Sequence, residues 1–241
     1  MTERGKRTLG DGLDRDELSW TDGDMPFSAR FGDHFYARED GRAESAHVFI
    51  GHNGLPDRWA EGGDFTIAEL GFGTGLNVLE TWRQWIAARR PDARLHFHSF
   101  EAFPMQAAEM HKAIGRWPDL LPLCDRLLAH WPALSTASTP WPLDEQTTLT
   151  VHVGDAPDRV TAWQGIADAW YLDGFAPARN PDMWSADLMA AVFARTAPGG
   201  TFATYTAAGW VRRNLRNAGF IVQKHPGFAG KREMMAGYRP S

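Results

Sequence analysis

The chain has 241 residues, of which 43% are hydrophobic and 23% are charged, and its net charge is −5. These values are typical of a globular protein and exclude wholesale disorder and fibrous repeats. The length favours one domain. No apolar run approaches the roughly 18 residues of a membrane-spanning helix, and residues 1–16 lack a secretory signal pattern. Cys124 is the single cysteine, which excludes an intramolecular disulfide and favours a cytoplasmic location.

The amino-terminal part of the chain is rich in Asp and Gly and has weak periodicity. It predicts a flexible arm over residues 1–30, followed by a single domain over residues 31–241. The patch Val48-Phe49-Ile50 predicts a short strand over residues 46–50. An apolar run over residues 65–70 then predicts the first strand of a larger sheet. A helix with apolar positions at helical spacing is predicted from residue 76 to residue 90.

Further strands and helices alternate along the rest of the chain. Strands are predicted over residues 95–100, 149–153, 168–172 and 201–205. Helices are predicted at about residues 157–165, 183–196 and 208–218. Residues 132–148 hold three prolines and predict an irregular surface connection. Strands that alternate with helices predict a parallel sheet covered on both faces, with the ligand at the carboxyl ends of the strands.

The first of these strands ends in the glycine motif Gly71-Phe-Gly73-Thr-Gly75, preceded by Glu69. Alternate glycines let the backbone turn tightly and approach a ligand closely. Leu76 stands where a dinucleotide fingerprint needs Gly or Ala, and the Gly-Lys-Ser/Thr ending of a P-loop is absent. The motif therefore favours a nucleoside ligand over NAD, and the alternative is a turn that only lets the helix pack.

Two acids follow the next two strands. Glu101 stands where it could accept both hydroxyls of a ribose, as acids do in nucleoside-binding α/β folds. Phe103 could pack on an adenine face, and Asp155 could accept a hydrogen bond from an exocyclic amine. With the glycine motif, these residues predict an adenosine-containing ligand that is recognised without phosphate contacts.

The fourth strand ends at Asp173-Gly174-Phe175, where a carboxylate would face a substrate; the alternative is a plain turn. His96 and His98 alternate on one strand, but without a clear third ligand we expect no metal site. Cys124 lacks a neighbouring base and is predicted to be structural.

Charge is unevenly distributed along the chain. Residues 1–24 hold seven acids and four bases, a balance of −3, whereas residues 200–241 hold seven bases and one acid, a balance of +6. A protein that is acidic as a whole can still present one basic face to phosphates. The alternative is a solvated helix and loop.

Several stretches resemble one family. They are Glu69-Leu-Gly-Phe-Gly-Thr-Gly-Leu-Asn77 and residues 168–184, 201–213, 218–220 and 227–234. The family is the S-adenosylmethionine-dependent methyltransferase domain of the bifunctional tRNA 5-methylaminomethyl-2-thiouridine biosynthesis protein, and the resemblance covers about residues 20–238. It implies an α/β, Rossmann-like class I methyltransferase fold with a mostly parallel seven-stranded sheet and helices on both faces. The chain departs from the family at Ala37, where serine is expected, and at Ala43, where an acid is expected.

The resemblance implies methylation of the primary amine of 5-aminomethyl-2-(thio)uridine at the tRNA wobble position. The implied cofactor, S-adenosyl-L-methionine, would be bound by Glu69, Gly71, Phe72, Gly73, Thr74, Gly75, Asn77, Glu101, Phe103, Asp155 and Ala156. Asp173 would face the substrate amine, with Phe175 against the base, and the region of Phe35 and Tyr36 would close over the cofactor. RNA contacts are expected from Arg179, Arg212, Arg213, Lys231 and Arg232.

Those relatives also carry a flavin-dependent oxidoreductase domain, which we expect to be absent here and to be supplied, if needed, by a separate partner. Two enzyme alternatives are another class I amine methyltransferase and an aminopropyltransferase-like enzyme. The latter predicts an acid-lined pocket and no basic surface. A non-catalytic nucleic-acid-binding protein would instead show degenerate cofactor residues, whereas the motifs here are intact.

Overall fold

The computed structural model describes residues 15–21, 23–129, 131, 138–230 and 232–241. Its first element is a small antiparallel sheet formed by β1 (Leu18–Thr21), β2 (Met25–Ser28) and β3 (Asp33–His34). Residues 15–30 therefore differ from the loosely structured arm expected from the sequence. Met25 and Ser28 are buried, so the hairpin is packed against the domain. Residues 1–14 lie outside the described part of the chain.

The main sheet has eight strands in the described residues. They are β4 (Asp64–Leu70), β5 (Arg94–Glu101), β6 (Trp141–Asp144), β7 (Thr147–Val153), β8 (Ala167–Leu172), β9 (Thr196–Thr204), β10 (Ile221–His225) and β11 (Met234–Tyr238). Their order across the sheet is β10-β11-β9-β8-β4-β5-β7-β6. The five central strands β9, β8, β4, β5 and β7 pair in parallel, while β11 and β6 pair with their neighbours in the antiparallel sense.

Helices cover both faces of this sheet. They are α1 (Gly41–Ser45), α2 (Leu76–Ala88), α3 (Ala107–Ile114), α4 (Leu121–Leu128), α5 (Ala156–Ala162), α6 (Ala186–Ala194) and α7 (Gly209–Ala218). One apolar cluster joins the sheet to α2, α3 and α4, and a second joins it to α5, α6 and α7. Successive side chains of β4 pack on opposite faces of the sheet, with Ile67 in the first cluster and Ala68 in the second. The predicted fold class is confirmed. No helix in the described part of the chain is long and apolar enough to span a membrane.

The strand predicted over residues 46–50 is wrong, because these residues continue α1 as a wider helical turn. Asp40 starts the helix by accepting hydrogen bonds from the backbone N–H groups of Arg42 and Ala43. Val48, Phe49 and Ile50 are all buried. Three consecutive buried residues fit a helical turn between two layers, and so short an apolar run does not distinguish helix from strand.

The irregular connection predicted over residues 132–148 contains a strand. In β6, Trp141 and Leu143 are buried while Pro142 is exposed, so the segment alternates as an edge strand does. Proline is compatible with that position because one side of an edge strand makes no ladder bonds. The main sheet therefore has eight strands where seven were predicted, and β6, β10 and β11 lie outside the predicted strand ranges. Residues 132–137 lie outside the described part.

Candidate active site

A cavity of about 400 Å³ opens at the carboxyl ends of β4, β5 and β8, and we call it the main cavity. Ten residues predicted from the sequence line it: Gly71, Phe72, Gly73, Thr74, Asn77, Glu101, Phe103, Ala156, Asp173 and Phe175. Three other predicted cofactor residues, Glu69, Gly75 and Asp155, lie outside its lining. Glu69 is fully buried beneath it, and Asp155 is exposed before α5.

The glycine motif forms a sharp turn between β4 and α2. Gly71 has φ 83° and Gly73 has φ 53°, a region that favours glycine. A Cβ atom on Gly71 would lie 3.5 Å from the Cα of Gly174, so the loops after β4 and β8 are in close contact. This contact places the carboxylate of Asp173 beside the glycine turn.

Glu101 connects the glycine turn to the loop after β5. Its Oε2 accepts a hydrogen bond of 2.9 Å from Gly73 N, and its Oε1 accepts one of 2.7 Å from Phe103 N. Burial raises the pKa of this carboxyl, while the backbone donors oppose that rise. A carboxylate offers about four acceptor positions, so two remain for the hydroxyls of a ribose. Glu101 thus stands at the predicted cofactor position and also holds two loops together.

A buried hydrogen-bond network lies under the main cavity. Asn77 Nδ2 donates to Glu69 Oε1 at 3.0 Å and to Asp173 Oδ2 at 2.8 Å. Ser99 Oγ lies 2.6 Å from Glu69 Oε2. Burial raises the pKa of Glu69 well above its usual range, and the nearby carboxylates of Asp173 and Glu101 raise it further. The network orients Asp173 through Asn77, with Glu69 buried behind it.

Aromatic rings form one wall of the main cavity. The ring of Phe175 stacks on Phe31 with centroids 4.6 Å apart, and Phe35 meets it edge-on at 5.0 Å. Phe31 also lies 6.0 Å from Phe103. Trp184 is fully buried and donates from Nε1 to the carbonyl of Phe175. It supports this wall from behind and does not line the cavity.

The sequence analysis missed several residues that line the main cavity. Phe31, Asp33 and His34 come from the segment around the predicted arm, and Glu44 and Tyr205 come from elsewhere in the chain. Asp33 Oδ2 accepts a hydrogen bond of 3.0 Å from Ala176 N, which links the small sheet to the loop after β8. The phenylalanines within this Asp- and Gly-rich segment were the signal that it packs against the rest of the protein.

The main cavity is strongly acidic. Its lining in the described residues includes six carboxylates, from Asp16, Asp33, Glu39, Glu44, Glu101 and Asp173, but a single arginine, Arg38. Tyr205 donates from its hydroxyl to the carbonyl of Gly174 at 2.8 Å. Burial, together with the nearby carboxylates, raises the pKa of Tyr205 well above its usual range. The field of the lining favours positively charged groups and disfavours anions.

The predicted RNA-binding residues lie on separate parts of the surface. Arg179 is exposed and packs against Gly32 of the segment that covers the main cavity. Arg212 and Arg213 lie on α7, Arg232 lies in the loop before β11, and Lys231 is outside the described residues. Two other bases of residues 200–241 are engaged within the protein. Lys224 pairs with Glu233, and Arg239 donates to the carbonyl of Phe193 in α6 and to that of Thr196 at the start of β9.

The histidines considered as metal ligands have protein partners. His96 Nδ1 lies 3.0 Å from Thr148 Oγ1, and His98 Nδ1 lies 3.1 Å from His152 Nε2. Burial lowers the pKa of His98 to about 4. In the described part of the chain, no group of three or more His, Cys, Asp or Glu side chains could hold a metal ion.

Comparison with known proteins identifies the family. The model of a family of S-adenosyl-L-methionine-dependent methyltransferases matches residues 118–240, about half of the chain. The chain belongs to this methyltransferase family. The matched region includes β7 to β11 and Asp173, and the glycine motif lies before it.

Two relatives share much of the sequence. The chain is 47% identical over 232 residues to the tRNA 5-methylaminomethyl-2-thiouridine biosynthesis bifunctional protein MnmC of Marinobacter nauticus, covering 93% of this chain and 37% of that protein. It is 43% identical to the protein of the same name from Caulobacter vibrioides, covering 92% of this chain and 38% of that protein. The chain therefore spans little more than a third of the length of these relatives.

A solved structure supports the fold. The crystal structure of MNMC2 from Aquifex aeolicus matches with a TM-score of 0.73 at 22% identity, covering 94% of this chain and 72% of that one. The residues of the main cavity fit the cofactor of the family. Glu101 retains acceptors for a ribose, the glycine turn gives close access to the backbone, and the acidic lining suits a sulfonium.

Proposed function

We propose that this methyltransferase transfers a methyl group to the primary amine of 5-aminomethyl-2-(thio)uridine at the wobble position of tRNA. The observation that carries the proposal is the placement of Asp173. Asp173 lines the main cavity, its backbone lies against Gly71 in the loop that follows β4, and its carboxylate is oriented by Asn77. The printed names of the relatives, which refer to biosynthesis of 5-methylaminomethyl-2-thiouridine in tRNA, support this choice of substrate.

Asp173 acts on the amine of the substrate. When bound, S-adenosyl-L-methionine supplies a methyl group activated by a positively charged sulfur. The amine would lose its ammonium proton to solvent, and its lone pair would then accept the methyl group, which would leave the sulfur of the cofactor as a neutral thioether. An alkylamine resembles lysine, with a pKa of about 10.4, whereas an ordinary aspartate titrates near about 3.9. Asp173 therefore acts mainly by accepting a hydrogen bond from the amine and orienting it, and proton acceptance is its secondary role.

Positioning supplies most of the rate enhancement in this proposal. Holding donor and acceptor in line can contribute about 7–11 kcal/mol to lowering the barrier. The Asp173 side chain is held at both oxygens, because Gly174 N donates to Oδ1 at 2.8 Å and Asn77 donates to Oδ2. The ring of Phe175 offers a face for the base, as aromatic side chains commonly do for single-stranded RNA. Both residues thus restrict the position of the aminomethyl-uridine.

The proposed organisation follows from this site. A single methyltransferase domain over residues 31–241 is proposed to carry the chemistry, and Asp16, which precedes the β1–β2 hairpin, also lines the main cavity. Arg179, Arg212, Arg213, Lys231 and Arg232 are proposed to contact tRNA. A separate flavin-dependent oxidoreductase would prepare or share the substrate, and tRNA modification in the cytoplasm fits these roles.

A second candidate is aminopropyl transfer to a polyamine, because the acidic lining of the main cavity also suits a polycation. One experiment separates the two functions. The protein is incubated with S-adenosyl-L-methionine and tRNA carrying 5-aminomethyl-uridine, and nucleosides are then analysed by mass spectrometry. The proposal predicts the gain of one methyl group on the wobble nucleoside and none on tRNA that lacks the aminomethyl group. No methylated nucleoside, together with transfer to a polyamine from the decarboxylated cofactor, would favour the second candidate.

A further inference from the structure

A second, smaller depression of about 260 Å³ lies next to the main cavity. It is lined by Thr21, Met25, Arg38 and Arg116, and we call it the arginine depression. Arg38 belongs to the lining of both, so the two are adjacent. The β1–β2 hairpin forms one side of the depression, and the residues just after α3 form another.

Groups other than carboxylates contact both arginines. Arg38 Nη2 lies 2.7 Å from His34 Nε2, and its Nε donates to the same atom at 3.1 Å. Arg116 donates to the carbonyl of Arg38 at 3.5 Å and lies near the rings of Tyr36 and Trp117. The guanidinium groups are thus oriented without being neutralised.

Other arginines of the same layer differ in this respect. Arg42 forms ion pairs with Glu80 and Asp119 at 2.8 Å each, and Arg83 pairs with Glu80. Within the described part of the chain, no carboxylate forms an ion pair with Arg38 or Arg116.

The acids around the two arginines are largely engaged elsewhere. Asp40 Oδ1 accepts from Trp117 Nε1 and from the N–H groups of Arg42 and Ala43, and Glu44 Oε2 accepts from Ala37 N. Lys112 Nζ lies 3.0 Å from Asp24 Oδ1 and neutralises it. Glu39 is exposed in the lining of the main cavity. Arg38 and Arg116 are themselves exposed, so their donors are accessible to a ligand in solution.

The charges divide the site into two parts. The main cavity is acidic and disfavours anions, whereas the arginine depression beside it presents two guanidinium groups. A nucleotide that inserts its base and aminomethyl group into the main cavity must leave its phosphates outside. Arginine forks match the geometry of phosphate oxygens and can bind them with two parallel hydrogen bonds.

We propose that the arginine depression binds a backbone phosphate of the RNA beside the nucleotide that enters the main cavity. This inference rests on the proposed RNA substrate. Arg38, at the boundary of the two spaces, contacts the phosphate on the side of the reacting nucleotide, and Arg116 contacts it from the other side. The site sets how far the base can enter, since the phosphate is held at the mouth of the cavity.

The test compares the parent protein with the variants R116Q and R38Q/R116Q. Affinity for a tRNA anticodon hairpin is measured between about 50 mM and 200 mM salt. Each phosphate contact to single-stranded RNA contributes about 0.7 to the slope of log affinity against log salt. We expect both variants to flatten the slope by about that amount and to weaken binding by roughly 10-fold or more at the lowest salt. R38K/R116K keeps the charges and should restore the slope.

The control is R90Q/R94Q, which removes two exposed arginines near the amino end of β5. They lie at the end of the strands opposite the main cavity. Its slope should equal that of the parent. R212Q/R213Q measures the separate contribution of α7. Calorimetric titration of R116Q with the cofactor shows whether the variant remains folded, because Arg116 lies outside the lining of the main cavity.

Three results would overturn the inference. The first is a slope in R38Q/R116Q equal to that of the parent. The second is a loss of affinity for the hairpin in R38Q/R116Q no larger than the loss in R90Q/R94Q. The third is that R38Q/R116Q loses affinity for inorganic phosphate while its affinity for RNA is unchanged. In each case the parent would still bind and methylate tRNA, so the proposed function would survive. A parent that neither binds nor methylates any tRNA would instead contradict the proposed function itself.

Discussion

Asn77 donates a hydrogen bond of 2.8 Å to Asp173 Oδ2, from an amide that also donates to the buried carboxyl of Glu69. The sequence analysis assigned Asn77 to the cofactor and Asp173 to the substrate. The hydrogen bond couples the two roles, because any movement of the helix start at Asn77 also moves the carboxylate that faces the substrate.

Asp173→Asn should reduce single-turnover methylation of aminomethyl-uridine tRNA by roughly 10²-fold or more, the scale of a lost acid–base or orienting group. The parent accepts hydrogen bonds at both carboxylate oxygens, from Gly174 N and from Asn77. Asparagine can accept at only one of them, so a small loss of stability is also expected. Rapid-quench assays with saturating cofactor measure the rate, and thermal unfolding measures the stability.

The variant N77A is the control for the hydrogen bond between the two side chains. It removes the donors to Asp173 and to Glu69 but keeps the Asp173 carboxylate, so it should lose more thermal stability than D173N and less of the methylation rate. If D173N methylates at nearly the parental rate, Asp173 has no part in the chemistry.

Glu101→Gln should weaken binding of S-adenosyl-L-methionine by about 1.5–3 kcal/mol, the cost of losing a charge-assisted hydrogen bond. The amide retains one acceptor for Gly73 N or Phe103 N but no negative charge for a ribose. Isothermal titration calorimetry measures the affinity. Asp155→Asn is the comparison, and its smaller effect is expected because Asp155 is exposed outside the main cavity. If E101Q and the parent bind the cofactor with equal affinity, Glu101 does not bind the ribose.

Glu69→Gln should stabilise the protein increasingly as pH rises. Burial raises the pKa of Glu69 well above its usual range, so the folded state favours the protonated carboxyl. Its contribution to stability is complete below the unfolded pKa of about 4.5 and is lost as pH rises through the folded pKa. Glutamine is neutral at every pH and can still bond Ser99 and Asn77. Urea unfolding at about pH 5 and about pH 8 should show the advantage of E69Q growing with pH. An advantage that is constant or shrinks between these values would mean that Glu69 is ionised in the fold.

Phe31→Ala should weaken the wall of the main cavity that Phe31 forms with Phe175. An aromatic pair contributes about 0.5–1.5 kcal/mol beyond burial, so KM for the RNA substrate should rise about 2- to 10-fold. Steady-state kinetics with the aminomethyl-uridine hairpin measure this change. Tyr238→Ala is the matched control, because Tyr238 is an exposed aromatic residue at the carboxyl end of β11. A KM that is equal in F31A and Y238A would exclude the wall from substrate binding.

Local pattern was sufficient for most of the main sheet. Predicted strands over residues 65–70, 95–100 and 168–172 differ by about one residue from β4, β5 and β8. It failed over residues 46–50, where a short buried run does not show its period. It also failed at β6, where prolines obscured an alternation that only pairing with β7 makes visible, and it did not predict β10 or β11.

The sequence by itself determined the alternation of strands and helices, the glycine turn after β4, and the acids at the ends of β5 and β8. These follow from local periodicity, and a parallel sheet brings the carboxyl ends of its strands to one edge. Only the tertiary structure decided that Asp16 and residues 31–35 line the cavity at that edge. Asp33 accepts from Ala176 across 143 residues of sequence, and Asn77 lies 96 residues from Asp173. Such contacts depend on how distant segments pack, and packing leaves no periodic signature in either segment. For the same reason, the sequence does not distinguish Arg38 and Arg116 from other surface arginines. The fold places both of them in the lining of one depression.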